Sequence, residues 1–315
     1  MDGEKFPFSF FCSSPDAFRT LLNRLREGVY FLDREKRIVF WNKAAEQLTG
    51  YREDEVLGRC CSDHILMHLD DQGTILCGER CPSSQCLADG YPMEFNSCFL
   101  HKEGYRVPGH VRLLPCRENA GKIVGVAQVF SDISPRLNMP PKTEELERLK
   151  LLDAQTESGN KRFLKIYLEA RIEEMRKYRL PLGLLFVDID NFANVNEIYG
   201  RIIGDKIIRM VAKSLANNAR FTDVVGRWGE DQFLVVLLNV REEKLDVVAN
   251  KLRLLTQRSG IPVGNAYLGV TVSIGFTEAR QRDTVESLID RAGKLMRHAK
   301  RLGKNRVCSR WPDEP

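Results

Sequence analysis

Arg227-Trp228-Gly229-Glu230-Asp231-Gln232-Phe233 is the stretch on which the reading of this chain turns. It stands between two apolar runs, Val224-Val225 and Leu234-Val235-Val236-Leu237, so it reads as the tip of a β-hairpin. A glycine at such a tip lets the backbone approach a phosphate, and a carboxylate beside it can hold a metal ion. Around the hairpin, helical and strand periods alternate. Upstream, residues 163–178 carry Leu164, Leu168, Ile172 and Met175 at helical spacing, 184–190 form a buried strand ending in carboxylates, and 207–219 form an amphipathic helix. Downstream come a helix at 247–255, a strand at 270–276 and a last helix at Val285–Arg301. This alternation argues an α/β (α+β) layout with a central sheet flanked by helices.

The first half of the chain has a different rhythm. Ser14-Pro15-Asp16 is a helix start, and Phe18, Leu21, Leu22 and Leu25 follow on one face. Strands are expected at 28–32 and 37–41, joined by Asp33-Arg34-Glu35-Lys36, and again at Met93–Leu100, 105–115 and 122–131. With 315 residues there is room for two cores. Composition is that of a soluble globular protein, 43% apolar and 29% charged, and the net charge of +5 is mild. That charge forms no isolated basic stripe that would argue for nucleic acid. No apolar run approaches the roughly 20 residues of a membrane span. The start, Met1-Asp2-Gly3-Glu4-Lys5, carries both charge signs and does not read as a signal peptide, so the expected location is the cytoplasm. Nine cysteines in a reducing compartment read as thiols, metal ligands or redox groups.

Two resemblances organise these features. Asn42-Lys43-Ala44-Ala45-Glu46-Gln47-Leu48 after the first strand pair, then Gly50-Tyr51 and the closing Ser131-Asp132-Ile133-Ser134, resemble the PAS family, which implies an antiparallel sheet with helices. The hairpin resembles the Arg-Tyr-Gly-Gly-Asp-Glu-Phe signature of the GGDEF family, whose members condense two GTP into cyclic di-GMP as dimers. Asp153, Thr156, Asn160 and Arg162 fit that family's opening motif, Asp-x-Leu-Thr-Gly-Leu-x-Asn-Arg-Arg, whereas Gln155, Glu157 and Ser158 depart from it. The expected organisation is an extension at 1–14, a PAS sensor at 15–135 with a cysteine-rich insert at 58–90, a linker helix at 136–152, a GGDEF domain at 153–308 and a tail at 309–315. The leucine stripe of the linker, Leu146, Leu149 and Leu152, suits either a two-chain coiled coil or a solvated connector.

The GGDEF resemblance implies a site. Asp188, with the Ile189 carbonyl and Asp231, matches the magnesium-binding groups. Asn196 and Asp205 match the readers of guanine, an amide and a carboxylate able to meet its carbonyl, N1–H and amine. Lys300 and Lys304, four apart on one helix face, match the phosphate cations, and Gly229 lies where the nucleotide packs. Arg220-Phe221-Thr222-Asp223 stands at the position of the family's Arg-x-x-Asp product-inhibition site. There an arginine fork suits guanine or a phosphate, while an ordinary surface ion pair is the structural alternative.

Three positions depart from the implied chemistry. Ala193 replaces a phosphate lysine. Glu230 replaces the second glycine and adds negative charge. Gln232 replaces the catalytic or metal-binding glutamate and can neither take up a proton nor offset a cation. The expected protein is therefore a PAS sensor controlling a degenerate GGDEF domain that binds cyclic di-GMP or GTP without efficient cyclisation. It would act as a homodimer on a downstream partner that the sequence does not identify. An active diguanylate cyclase is the first alternative. The second arises from Cys61, Cys77, Cys81 and Cys86 with His64 and His68, which could hold zinc or an iron–sulfur cluster or line a plain thiol pocket. In that case the protein is a redox or metal sensor, and its GGDEF fold is a dimerisation or partner surface.

Overall fold

The computed structural model describes residues 15–61, 63, 65–70, 73–78, 80–118, 121–134, 151–264 and 266–310. These fall into two compact units, one within Met1–Asp70, Thr74–Lys102 and Gly109–Ile133, the other within Asp71–Gly73, Glu103–Pro108 and Ser134–Pro315.

The first unit is built on a five-stranded antiparallel sheet in the order β2-β1-β5-β4-β3. Its strands are β1 Gly28–Asp33, β2 Ile38–Trp41, β3 Met93–Leu100, β4 Arg106–Arg117 and β5 Ile123–Asp132. The helices are α1 Pro15–Arg24, α2 Lys43–Thr49, α3 Glu53–Val56 and α4 Pro82–Asp89. Asn42 explains why the chain turns where it does. It is fully buried, and its Oδ1 accepts from Ala45 N, capping α2, and from Val29 N of β1, both at 2.8 Å. Its amide nitrogen donates to the carbonyls of Leu22 and Glu27, so one side chain joins α1, β1 and α2. Gly50 ends α2 in the left-handed region at φ 77°, which glycine enters without the Cβ penalty. Tyr30, Trp41, Phe99 and Phe130 fill the core beneath.

The second unit has α5 Lys161–Tyr178, β6 Leu182–Ile189, α6 Phe192–Tyr199, α7 Arg201–Asn218, β7 Val224–Arg227 and β8 Gln232–Leu238. It continues with α8 Glu242–Gln257, β9 Gly260–Val263, β10 Ala266–Gly269, β11 Val272–Glu278, α9 Val285–Arg301 and β12 Val307–Cys308. The main sheet runs β12-β11-β6-β8-β7, with β9 and β10 paired apart from it. All its pairings are antiparallel except β11 with β12.

Both faces of this sheet are buried, which is why β6 and β8 read as unbroken apolar runs. Period-2 alternation sends Leu185, Val187 and Ile189 toward Ile207, Val211 and Leu215 of α7 and Leu245 and Leu252 of α8. Leu184 and Phe186 face the other way, onto Leu164, Leu168 and Ile172 of α5 and Leu288, Ala292 and Met296 of α9. Each such fully buried side chain stabilises the fold by about 1.5–3 kcal/mol. The α9 helix sits on bare backbone: a Cβ on Gly275 would lie 2.1 Å from Met296 N and 2.2 Å from Ala292 O. That close seat carries the C-terminal turn of α9 to the end of β6.

Of the expected linker helix, residues 136–150 lie outside the described residues, as do the extension at 1–14, His64 and residues 311–315. Leu152, which is described, forms a bridge with Gly159.

Candidate functional site

The site forms where β6 ends. The last residues of β6 and the following turn are held by Asp190, a buried carboxylate that accepts from Thr271 Oγ (2.7 Å), Ser273 Oγ (2.7 Å) and Asn305 N (2.9 Å). Asn191 then enters the left-handed region at φ 56° and leads into α6. Sequence reasoning gave Asp190 no role; its only signal was the Asp-x-Asp pattern at a strand end.

Asp188 lies directly across from Gln232 in the β6–β8 register. It is buried, 4% exposed, and both of its oxygens face groups of the protein. Gln232 Nε2 donates to Oδ2 at 3.0 Å, and the Lys300 ammonium forms an ion pair at Oδ1. Asp231 adjoins this pair, its carbonyl accepting from Ile189 N at 3.1 Å. Burial first, then the charge of Asp188, push the Asp231 carboxyl above its usual range, and Lys300 offsets part of that. The two aspartates are thus brought together as expected, but a cation and an amide already accompany them. Among the described residues, no group of three or more His, Cys, Asp or Glu is placed to hold a metal ion. In this arrangement the residues do not fit a magnesium ion, which would have to displace Lys300.

Asn196 on α6 and Asp205 on α7 lie on either side of the turn at Gly200, whose φ is 80°. Gly204 makes room for the amide: a Cβ there would sit 1.9 Å from Asn196 Oδ1. Asp205 is exposed, and Gln155 Nε2 donates to its Oδ1 at 2.9 Å. The other end of Gln155 accepts from Arg227 Nη1 at 2.6 Å. Arg227 also binds the carbonyls of Gly229 (3.1 Å) and Glu230 (2.7 Å), fastening the hairpin tip, and pairs with Asp153 at 3.2 Å. Burial tends to raise the Asp153 carboxyl, but hydrogen bonds from Thr156 and the Arg227 guanidinium outweigh it and hold the group below its ordinary value. Gln155 and Arg227 were not among the expected site residues; the departure of Gln155 from the opening motif was the available signal.

The remaining cations and the hairpin complete the picture. Lys304 reaches Asn191 Oδ1. Glu230 and Ala193 are exposed. A Cβ on Gly229 would meet Gln232 Oε1 at 3.0 Å, so the glycine leaves room for the amide beside it.

Residues 150–306 match the family described as diguanylate cyclase, GGDEF domain, and residues 22–138 match the PAS fold. The chain is a PAS domain followed by a GGDEF domain. Relatives include diguanylate cyclase DosC of Escherichia coli, 31% identical over 166 residues, which are 52% of this chain and 36% of DosC. The chain therefore spans about a third of the length of that relative. A diguanylate cyclase of Vibrio cholerae is 24% identical over 91% of this chain and 87% of its own length. Among solved structures, diguanylate cyclase SiaD of Pseudomonas aeruginosa, in complex with its activator SiaC, superposes with a TM-score of 0.52 at 28% identity. That match covers 55% of this chain and 66% of SiaD.

Elsewhere in the GGDEF domain, Asp223 is buried and accepts from the Arg220 backbone N–H at 2.9 Å, while the Arg220 side chain is exposed. Burial raises the Asp223 carboxyl.

In the PAS domain, Cys61, Cys77 and Cys81 lie near Tyr30; burial, then Cys81, Cys60 and Cys77, push the Cys61 thiol up to about 12. Cys86 stands with Cys116 and Asp89 instead. His68 is a buried histidine within the fold: its Nδ1 shares a hydrogen bond with Ser97 Oγ (2.8 Å), and Gln128 Nε2 donates to its Nε2 (3.1 Å). The described cysteines are all free thiols, and no described helix is long and apolar enough to cross a membrane.

Proposed function

We propose that this protein is a signalling receptor in which the PAS sensor controls a degenerate GGDEF domain, one that binds cyclic di-GMP or GTP without efficient cyclisation. The observation that carries this reading is the hydrogen bond from Gln232 to Asp188. Joining a 3′-hydroxyl to an α-phosphate needs a group that takes up a proton and positive charge against the phosphates. An amide supplies neither, and here it is bonded to the carboxylate that a catalytic cation would need. Two further changes act in the same direction. Ala193 offers no cation in the first turn of α6, and Glu230 adds negative charge at the hairpin tip.

Binding is supported by groups that survive. Asn196 and Asp205 present an amide and a carboxylate for guanine, and Lys300 and Lys304 lie at the end of β6. Exposed Arg220 beside Asp223 supports a product-sensing site for cyclic di-GMP. The reading includes a homodimer acting in the cytoplasm. Calorimetry with cyclic di-GMP and with GTP should show binding of at least one. Incubation with GTP and Mg²⁺ should leave no cyclic di-GMP on chromatography. Binding of neither nucleotide, or steady accumulation of product, would overturn the proposal. The second outcome would favour the other reading, an active diguanylate cyclase, which is supported by the Vibrio cholerae relative of similar length.

A further inference from the structure

Gln155 occupies the place where the family's opening motif has leucine, a side chain without hydrogen-bonding atoms. In this chain both ends of the amide are engaged. Its Nε2 donates to Asp205 Oδ1 at 2.9 Å and lies 3.4 Å from the Asp205 carbonyl. Its Oε1 accepts from Arg227 Nη1 at 2.6 Å. An amide N–H₂ presented to a carboxylate offers what the N1–H and amine edge of guanine would offer there. Arg227 keeps Gln155 in place, because the same guanidinium is anchored on Asp153 and on the carbonyls of Gly229 and Glu230.

We propose that Gln155 is a specificity-determining residue of the nucleotide site: its amide stands in for the guanine edge at Asp205, and a guanine nucleotide binds only by displacing it. The inference rests on the reading of Asp205 as a base-recognising group. Guanine breaks one existing hydrogen bond to gain its own, so the net contribution of Asp205 to guanine affinity is small while Gln155 is present. Adenine presents no matching pair of donors to a carboxylate, so its binding does not depend on that competition.

The test is calorimetry of the full chain with GTP and with ATP, in the wild type, Gln155→Leu and Gln155→Ala, with melting temperatures recorded alongside. Removing the competitor should tighten GTP by roughly three- to tenfold, as expected for one net hydrogen bond, and leave ATP unchanged. The Ala variant guards against an effect of leucine packing. A purely structural role would move both nucleotides together and lower the melting temperature. GTP affinity that is unchanged or weaker in both variants, with the wild type binding GTP, would overturn the inference alone. GTP binding that appears only in the variants would support it. Absence of GTP and cyclic di-GMP binding in all three proteins would overturn the receptor reading and this inference with it.

Discussion

Restoring the family's acidic residue by Gln232→Glu should make the stability of this protein depend on magnesium. The amide at 232 lies 3.0 Å from Asp188 Oδ2, in a position where Asp188 is 4% exposed. Replacing it removes a hydrogen bond to a charged acceptor, a net loss of about 1.5–3 kcal/mol. It also places two carboxylates about 4 Å apart, a repulsion of about 4 kcal/mol at an effective dielectric of 20. Lys300 attracts both and offsets part of this, as does rotation of the introduced carboxylate toward water, so a net loss of about 2–4 kcal/mol is expected without metal. For a domain of this size that lowers the melting temperature by roughly 5–12 °C. A divalent cation is then matched by three acidic side chains. At a hundred times its dissociation constant it should return about 2.7 kcal/mol. Differential scanning calorimetry of the full chain across a magnesium series reads both effects. If the variant melts with the wild type in the absence of magnesium, or if magnesium raises both proteins equally, the reading that the Gln232 amide stabilises Asp188 without a metal is wrong.

Three other perturbations have definite outcomes. Asp231→Asn should melt above the wild type at pH 7. Burial and Asp188 raise the folded pKa of Asp231, so the ionised group costs stability in full above that value. The advantage of the Asn variant should close as pH falls through the folded pKa to the ordinary carboxylate value of about 3.9, which melts at both pH values would reveal. Asp190→Ala strips three donors of a buried acceptor and should cost about 3–5 kcal/mol in urea unfolding. Gly204→Ala should leave stability near the wild type, because alanine favours the α7 helix and the atom it meets is the movable end of Asn196. By displacing that amide it should weaken GTP binding several-fold in calorimetry.

Much of the fold was legible because its signals are local. The last helix reads at Val285–Arg301 from its helical spacing, and the strand-like run Met93–Leu100 is found with the same bounds. Helix α6 and the β9–β10 hairpin escaped. Eight residues give barely two turns of period, and 260–269 is divided among short glycine- and proline-containing segments. Strand direction was equally hidden, since alternating elements suggest parallel pairing while β6 pairs antiparallel with both neighbours. At the site, the positions of Asp188 and Asp231 followed from strand ends and a hairpin. The partners of Asp188 and Asp205 did not. Lys300 and Gln155 reach them from distant parts of the chain, and that convergence exists only once the two helical layers have closed on the sheet.

Asp190 has a consequence for how such a protein ages under mutation. The carboxylate that secures the turn after β6 bonds to Thr271, Ser273 and Asn305, whereas the neighbouring Asp188 faces Gln232 and Lys300. Architecture and chemistry are therefore assigned to different side chains two positions apart. Replacing a group that touches Asp188, such as Gln232 or Lys300, leaves the three hydrogen bonds of Asp190 in place. A well-folded, heat-stable preparation of this chain is accordingly no measure of its turnover, and the two properties must be assayed separately.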